Sequence, residues 1–225
     1  MAGLDGQALG AMLLAVYRRL LSFYGPQYWW PADGPLEMIV GAILTQSAAW
    51  SNVEKAVANL KTGGLLSLEA VRLVPHEELA RLIYPSGYYN TKAKKLKAFA
   101  CWMAERYGDD LKALFALETG ELRRQLLSVH GIGEETADSI ILYAAHQPIF
   151  VVDAYTRRIV TRLGLAPSGS TYGDFQALFM QQLPPDEQMF NEYHALLVRH
   201  GKTACRRSPL CLECCLATLC RLTNQ

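Results

Sequence analysis

Apolar residues recur at three- and four-residue spacing along nearly all of this 225-residue chain. That spacing is the period of an α-helix, and it recurs too widely to leave room for a sheet. The breaks are compact. Gly25-Pro26, Pro31, Gly63-Gly64, Pro75, Pro85-Ser86-Gly87, Gly131, Pro148 and Pro184-Pro185 interrupt the pattern, and glycine and proline are the strongest local punctuators. Between them the pattern predicts helices over 7–24, 35–47, 50–61, 67–73, 75–83, 89–107, 118–127, 134–146, 153–163, 171–182 and 186–200. The one β-like run, Ile149-Phe150-Val151-Val152, is only four residues long. It reads as an apolar loop entering a helix. No internal repeat or low-complexity tract is present. The expected fold class is therefore all-α, with short connections and no flexible linker.

The length suits one large domain or two small ones, each able to bury a core. Half of the residues are hydrophobic, yet no apolar run approaches the ~20 residues that span a membrane. The start, MAGLDGQALGAMLLAVYRRLL, has an acid where a signal peptide needs base, and its arginines follow the apolar stretch. It reads as an amphipathic helix, not a targeting segment. A cytoplasmic protein without membrane contact is expected, and nothing in the sequence calls for an oligomer.

Net charge is only +1, but the charge is unevenly spread. Residues 90–97 hold Lys92, Lys94, Lys95 and Lys97 with no acid. Residues 199–221 hold Arg199, Lys202, Arg206, Arg207 and Arg221 against Glu213 alone. Two basic islands on a near-neutral chain suit a one-sided polyanion surface, or else two solvated faces.

Cys205, Cys211, Cys214 and Cys220 close the chain, separated by five, two and five residues. Five of the six cysteines fall within the last 21 residues. In a reducing compartment such crowding favours metal ligation over disulfides. The spacing alone admits a four-cysteine zinc site or an iron–sulfur cluster. Cys215, directly after Cys214, is a spare thiol that could compete as a ligand. Cys101 reads as a buried helix residue.

The segment LLSVHGIGEETADSIILYAA (126–145) predicts two helices joined by the tight turn Gly131-Ile132-Gly133. Two glycines permit positive φ and leave the backbone bare. Backbone N–H groups at the start of the second helix can then hold a phosphate, with Ile132 plugging the hairpin. Asp153, in FVVDAYTRRI, follows at the start of the next helix. As a capping residue it accepts backbone N–H bonds there. A partly desolvated carboxylate can also activate a water or steady an oxocarbenium-like sugar.

Gly131-Ile132-Gly133, then Asp153, then four closing cysteines together resemble the helix-hairpin-helix DNA glycosylase superfamily. The resemblance is to its endonuclease III branch, and within it to the 3-methyladenine glycosylases. ILTQSAAWSNVEKA (43–56) and SGYYNTKAKKL (86–96) resemble that branch's two DNA-probing loops. The resemblance implies two helical lobes, 26–138 with the hairpin and 1–25 plus 139–225 with the cysteines, around a DNA-binding cleft. It implies a [4Fe–4S] cluster on Cys205, Cys211, Cys214 and Cys220, although the family's first gap is usually one residue longer. It implies double-stranded DNA containing a damaged base as partner and Asp153 as the catalytic carboxylate. Gln46 would fill the gap left by a flipped base, and Tyr88 would wedge the opposite strand. Lys92, Arg157 and Arg158 are candidate phosphate contacts beside Gly131, Ile132 and Gly133. His130, where the family often has proline, is expected to shape the hairpin.

Two departures narrow the expected activity. Glu135 stands where the lyase branch carries the lysine whose amine forms a Schiff base with the sugar. An acid there implies a monofunctional glycosylase, with weak or absent lyase activity and water as nucleophile. Glu135 then either favours the helix N-terminus or lines the base pocket. Tyr28-Trp29-Trp30-Pro31 and Trp50 supply aromatic faces, with Trp29 and Trp50 the pocket candidates. An alkylated purine, electron-poor and often cationic, stacks well on such faces. The expected substrate is an alkylated purine such as 3-methyladenine. An oxidised pyrimidine, or thymine or uracil in a mismatch, is the alternative, and a non-catalytic DNA-binding module the second.

Overall fold

A computed structural model describes residues 6–222. Among these it holds twelve α-helices and no strand: α1 Gly6–Tyr24, α2 Pro35–Thr45, α3 Trp50–Thr62, α4 Leu68–Leu73, α5 His76–Leu82, α6 Tyr89–Tyr107, α7 Leu111–Phe115, α8 Thr119–Leu127, α9 Glu134–Tyr143, α10 Ala154–Leu163, α11 Tyr172–Met180 and α12 Glu187–Thr203. The expected all-α class stands, with most helix ends within a few residues of the sequence reading. The short α7 was not expected. Asp110 caps it, accepting from the backbone N–H groups of Lys112 and Ala113, a local bond that short-range periodicity does not register.

The helices form two units. Trp30–Gln147 is one, and residues up to Trp29 together with those from Pro148 form the other. The sequence reading placed the boundaries at 25/26 and 138/139. The latter falls inside α9, which packs on α2 and α8 of the Trp30–Gln147 unit.

In the Trp30–Gln147 unit, α2 is central. Every residue from Met38 to Leu44 is buried, so this helix is apolar all round and enclosed by α3, α6 and α9. Val53, Leu60, Leu79, Leu96, Phe99, Leu126 and Ile140 complete the core. Each such side chain contributes roughly 1.5–3 kcal/mol on burial. A buried ion pair joins the helices on either side of the hairpin. Arg123 Nε donates to Asp138 Oδ1 at 2.7 Å, and the Asp138 side chain is fully buried. Cys101, expected inside, is exposed, because it sits on the outer face of α6, whose inner face buries Phe99, Ala100 and Met103.

The other unit is built on α12, which α1 and α10 flank. The run 149–152 is a buried loop, not a strand, and side chains satisfy its backbone. Gln176 Nε2 donates to Phe150 O at 2.8 Å, and Val152 N donates to the Tyr172 hydroxyl at 3.2 Å. Phe150 stacks on Phe179 at 3.8 Å and meets Tyr193 edge-on. Tyr193 is enclosed, donating its hydroxyl proton to Leu13 O at 2.9 Å.

Candidate functional site

Local chemistry builds the hairpin. α8 ends at Leu127, and Val129 accepts from Ile132 N at 3.1 Å to close the turn. Gly131 sits at φ +86°, where a side chain is strained. A Cβ there would also meet the Lys95 stem at 2.3 Å. Gly133 differs from expectation. Its φ of −95° is extended backbone, and open space surrounds the missing Cβ. Only Gly131 therefore needs the glycine backbone. At Gly133 what glycine supplies is bare backbone at the N-terminus of α9, with no side-chain cap. Ile132 is buried, plugging the turn as expected, and His130 is exposed.

Gln46 lies against this turn. Its Nε2 donates to Gly131 O at 3.1 Å and to Thr136 Oγ1 at 2.9 Å, while Lys95 Nζ donates to its Oε1. The residue after it, Ser47, holds φ +54°, and Tyr88 holds φ +45°. A left-handed non-glycine residue thus marks each of the two expected probing loops, the kind of strain that concentrates at functional sites. Tyr88 is exposed, its ring in solvent.

Lys92 differs from its expected place. It is buried, and its amine donates to Leu44 O at 2.8 Å and Ser86 O at 2.6 Å. An enclosed amine clasping two carbonyls cannot reach a phosphate here. Desolvation, with Lys95 nearby, pulls its pKa down to about 8. Its amine ties the last turn of α2 to the turn that precedes α6.

Trp50, at the start of α3, meets Trp30 edge-on at 4.9 Å, and Trp30 lies 5.5 Å from Tyr143. Gly41 lets Trp30 lie close, since a Cβ there would meet its ring at 3.2 Å. Trp50 is half-buried. Trp29, half-buried, belongs to the other unit. Trp30, not among the pocket candidates of the sequence, is a ring partner of Trp50. Glu135 is exposed in the first turn of α9, the helix that ends at Tyr143.

Asp153 is the N-cap of α10, its Oδ1 accepting from Thr156 N at 2.7 Å. Its side chain is 13% exposed, and its Oδ2 lies 3.8 Å from His194 Nε2. Burial pushes the His194 pKa down, the nearby Asp153 charge opposing that shift. His194 had no sequence signal. It is one polar position on a helix face that otherwise buries Phe190, Tyr193 and Leu197.

The arginines of α10 face inward. Arg157 donates to Ser170 O at 2.8 Å and lies over the Phe175 ring, so its expected phosphate contact would first have to give these up. Arg158, also a candidate for phosphate, instead donates to Cys205 O and Gly201 O at 2.8 and 2.9 Å. Arg162, one helical turn on, donates to Cys205 Sγ at 3.3 Å and to the carbonyls of Arg206 and Arg207. The Arg158/Arg162 spacing puts both on one face, a signal the sequence reading did not use.

Cys205, Cys211, Cys214 and Cys220 line one hollow, whose walls include Ile159, Leu163 and Leu216. Burial, and then the charges of the other three, raise the Cys214 thiol pKa. His200 Nε2 lies 3.6 Å from Cys214 Sγ, and its Nδ1 is 3.0 Å from the Tyr24 hydroxyl. Cys215 is not part of the lining, and burial first, then Cys214, lifts its pKa to about 11. Among the described residues no three His, Cys, Asp or Glu side chains converge on one ion position. Four thiols spaced around an apolar hollow, with the Arg162 guanidinium donating to one of the sulfurs, fit a group larger than a single ion.

Residues 40–185 match the profile of the HhH-GPD superfamily of base excision DNA repair proteins. The chain belongs to that superfamily. A DNA repair glycosylase by description, MJ1434 of Methanocaldococcus jannaschii, is 44% identical over 93% of this chain and 96% of its own. The structure of a Helicobacter pylori 3-methyladenine DNA glycosylase bound to 1,N6-ethenoadenine superimposes with a TM-score of 0.73. It is 25% identical, covering 88% of this chain and 98% of that one. A non-covalent endonuclease III–DNA complex superimposes with a TM-score of 0.82 at 21% identity, covering 96% of both chains. The superfamily assignment carries DNA binding and base-excision glycosylase chemistry with it. The hairpin of the Trp30–Gln147 unit is the motif for which the superfamily is named. No helix among the described residues is long and apolar enough to cross a membrane.

Proposed function

We propose that this glycosylase is monofunctional and removes an alkylated purine from double-stranded DNA. The observation that carries the reading is Glu135. An exposed carboxylate occupies the first turn of α9, directly behind the hairpin, at the position of the lyase branch's lysine. A carboxylate cannot form a Schiff base, so sugar cleavage through that position is unavailable. The edge-on Trp30–Trp50 pair supports the substrate class, because an electron-poor purine gains most from aromatic faces. The likeness to a 3-methyladenine glycosylase solved with an ethenoadenine points the same way.

In this reading water is the nucleophile. Its oxygen bonds to the sugar C1′, the glycosidic electron pair leaves with the base, and a water proton passes to Asp153. Thr156 N–H fixes one carboxylate oxygen, leaving the other to face the reaction. Burial lowers the pKa of His194 beside it, against the pull of the Asp153 charge. An alkylated base is already a good leaving group, so no strong general acid is needed. Gln46 fills the vacated stack and Tyr88 wedges the opposite strand.

Cys205, Cys211, Cys214 and Cys220 would hold a [4Fe–4S] cluster. The cluster would supply a structural cross-link, fixing the loop that carries Arg206 and Arg207. Iron and labile sulfide in equal amounts, both lost in Cys214→Ser, are expected. Zinc in the purified protein would overturn that assignment.

Borohydride trapping on lesion duplexes tests the monofunctional reading. Base release without a trapped adduct is expected, and an efficient adduct overturns it.

A further inference from the structure

Lys95 is half-buried in α6 and belongs to neither the core nor a surface ion pair. Its stem lies flat on the hairpin, where a Cβ on Gly131 would meet its Cγ, Cδ and Cε at 2.3, 2.7 and 2.9 Å. Its ammonium ends on Gln46 Oε1. The same Gln46 is bound on its other side to Gly131 O and Thr136 Oγ1. One lysine thus touches both the turn whose N–H groups receive a phosphate and the side chain expected to enter the DNA. Lys92, the other candidate in this island, is enclosed.

We infer that Lys95 is the cationic phosphate contact of the hairpin, and that in the DNA-free protein its ammonium holds Gln46 against the turn. A phosphate arriving at the start of α9 offers the ammonium a full negative charge in place of an amide oxygen. A charge-assisted pair of that kind is the stronger bond. Moving the ammonium onto the phosphate removes one of the three bonds that restrain Gln46. Backbone docking is thereby coupled to release of the gap-filling side chain, before any base is recognised. Lys95 is a binding and positioning residue in this scheme, and it touches no reacting atom. The inference rests on the superfamily's DNA binding and not on the alkylpurine reading, so the two fail separately.

Binding to an undamaged duplex tests it, since no base is removed there. Wild type, Lys95→Met, Lys95→Arg, Gln46→Ala and the Lys95→Met/Gln46→Ala double variant are titrated over a range of salt. Lys95→Met keeps the apolar stem on Gly131 and deletes only the charge. Its log Kd against log salt should flatten by about 0.9, the value of one phosphate contact. Lys95→Arg should restore the slope. Gln46→Ala frees the ammonium, so it should tighten binding about threefold more in the wild-type background than beside Lys95→Met, a coupling of about 0.65 kcal/mol. An unchanged slope in Lys95→Met overturns the phosphate contact. An equal effect of Gln46→Ala in both backgrounds overturns the restraint on Gln46.

Discussion

Single residues in this fold are constrained by what surrounds their charge. Asp138 is fully buried against Arg123, so deleting the guanidinium removes the charge that faces a carboxylate shielded from water. Arg123→Met should cost about 3 kcal/mol in urea unfolding, the usual penalty for breaking a buried pair. Replacing Arg124, whose partner Glu121 is at the surface, should cost far less. Lys92 makes a pH prediction. Its folded pKa of about 8 lies below the ordinary 10.5, so the unfolded chain holds the proton more tightly. Stability from this group is fully present above the unfolded value and is lost as pH falls through about 8. From pH 8 towards 10.5, wild type should gain stability relative to Lys92→Met. Parallel curves would contradict the assignment. The sequence reading placed Lys92 on the DNA because residue type and island membership say nothing about burial. Only the pairing of its amine with Leu44 O and Ser86 O shows where it points.

At the scale of elements, the hairpin separates two uses of glycine. Gly131→Ala forces a side chain to φ +86° and into the Lys95 stem. It should destabilise the protein by about 1–3 kcal/mol and weaken DNA binding together. Gly133→Ala meets open space at an ordinary φ. Its thermal midpoint should barely move while duplex affinity falls, because the new methyl stands where a phosphate approaches. Equal losses of stability in both variants would contradict this division. The hairpin, the four-cysteine loop and nearly every helix were legible in the sequence, since each has a local signature of period, turn or spacing. What was not legible depends on distant partners. Trp30 meets Trp50 edge-on, and Gly41 opens room for its ring. His194 faces Asp153 across 41 positions of sequence. Arg158 turns to the end of α12 and the start of the cysteine loop, where the carbonyls of Gly201 and Cys205 accept from it.

For the whole molecule, the superfamily assignment fixes the reaction type, and particular side chains set the variation on it. In the proposed function, Glu135 removes one nucleophile, the aromatic pair favours one class of base, and Asp153 is left to direct water. These three claims meet in one measurement. Base release is followed from a panel of duplexes carrying 3-methyladenine, 1,N6-ethenoadenine, an oxidised pyrimidine, or thymine or uracil opposite guanine, with wild type and with Asp153→Asn. Release of an alkylated purine by wild type, falling at least about a hundredfold in Asp153→Asn, is the result predicted here. Preferred release of an oxidised or mismatched pyrimidine, or undiminished release by Asp153→Asn, would contradict it.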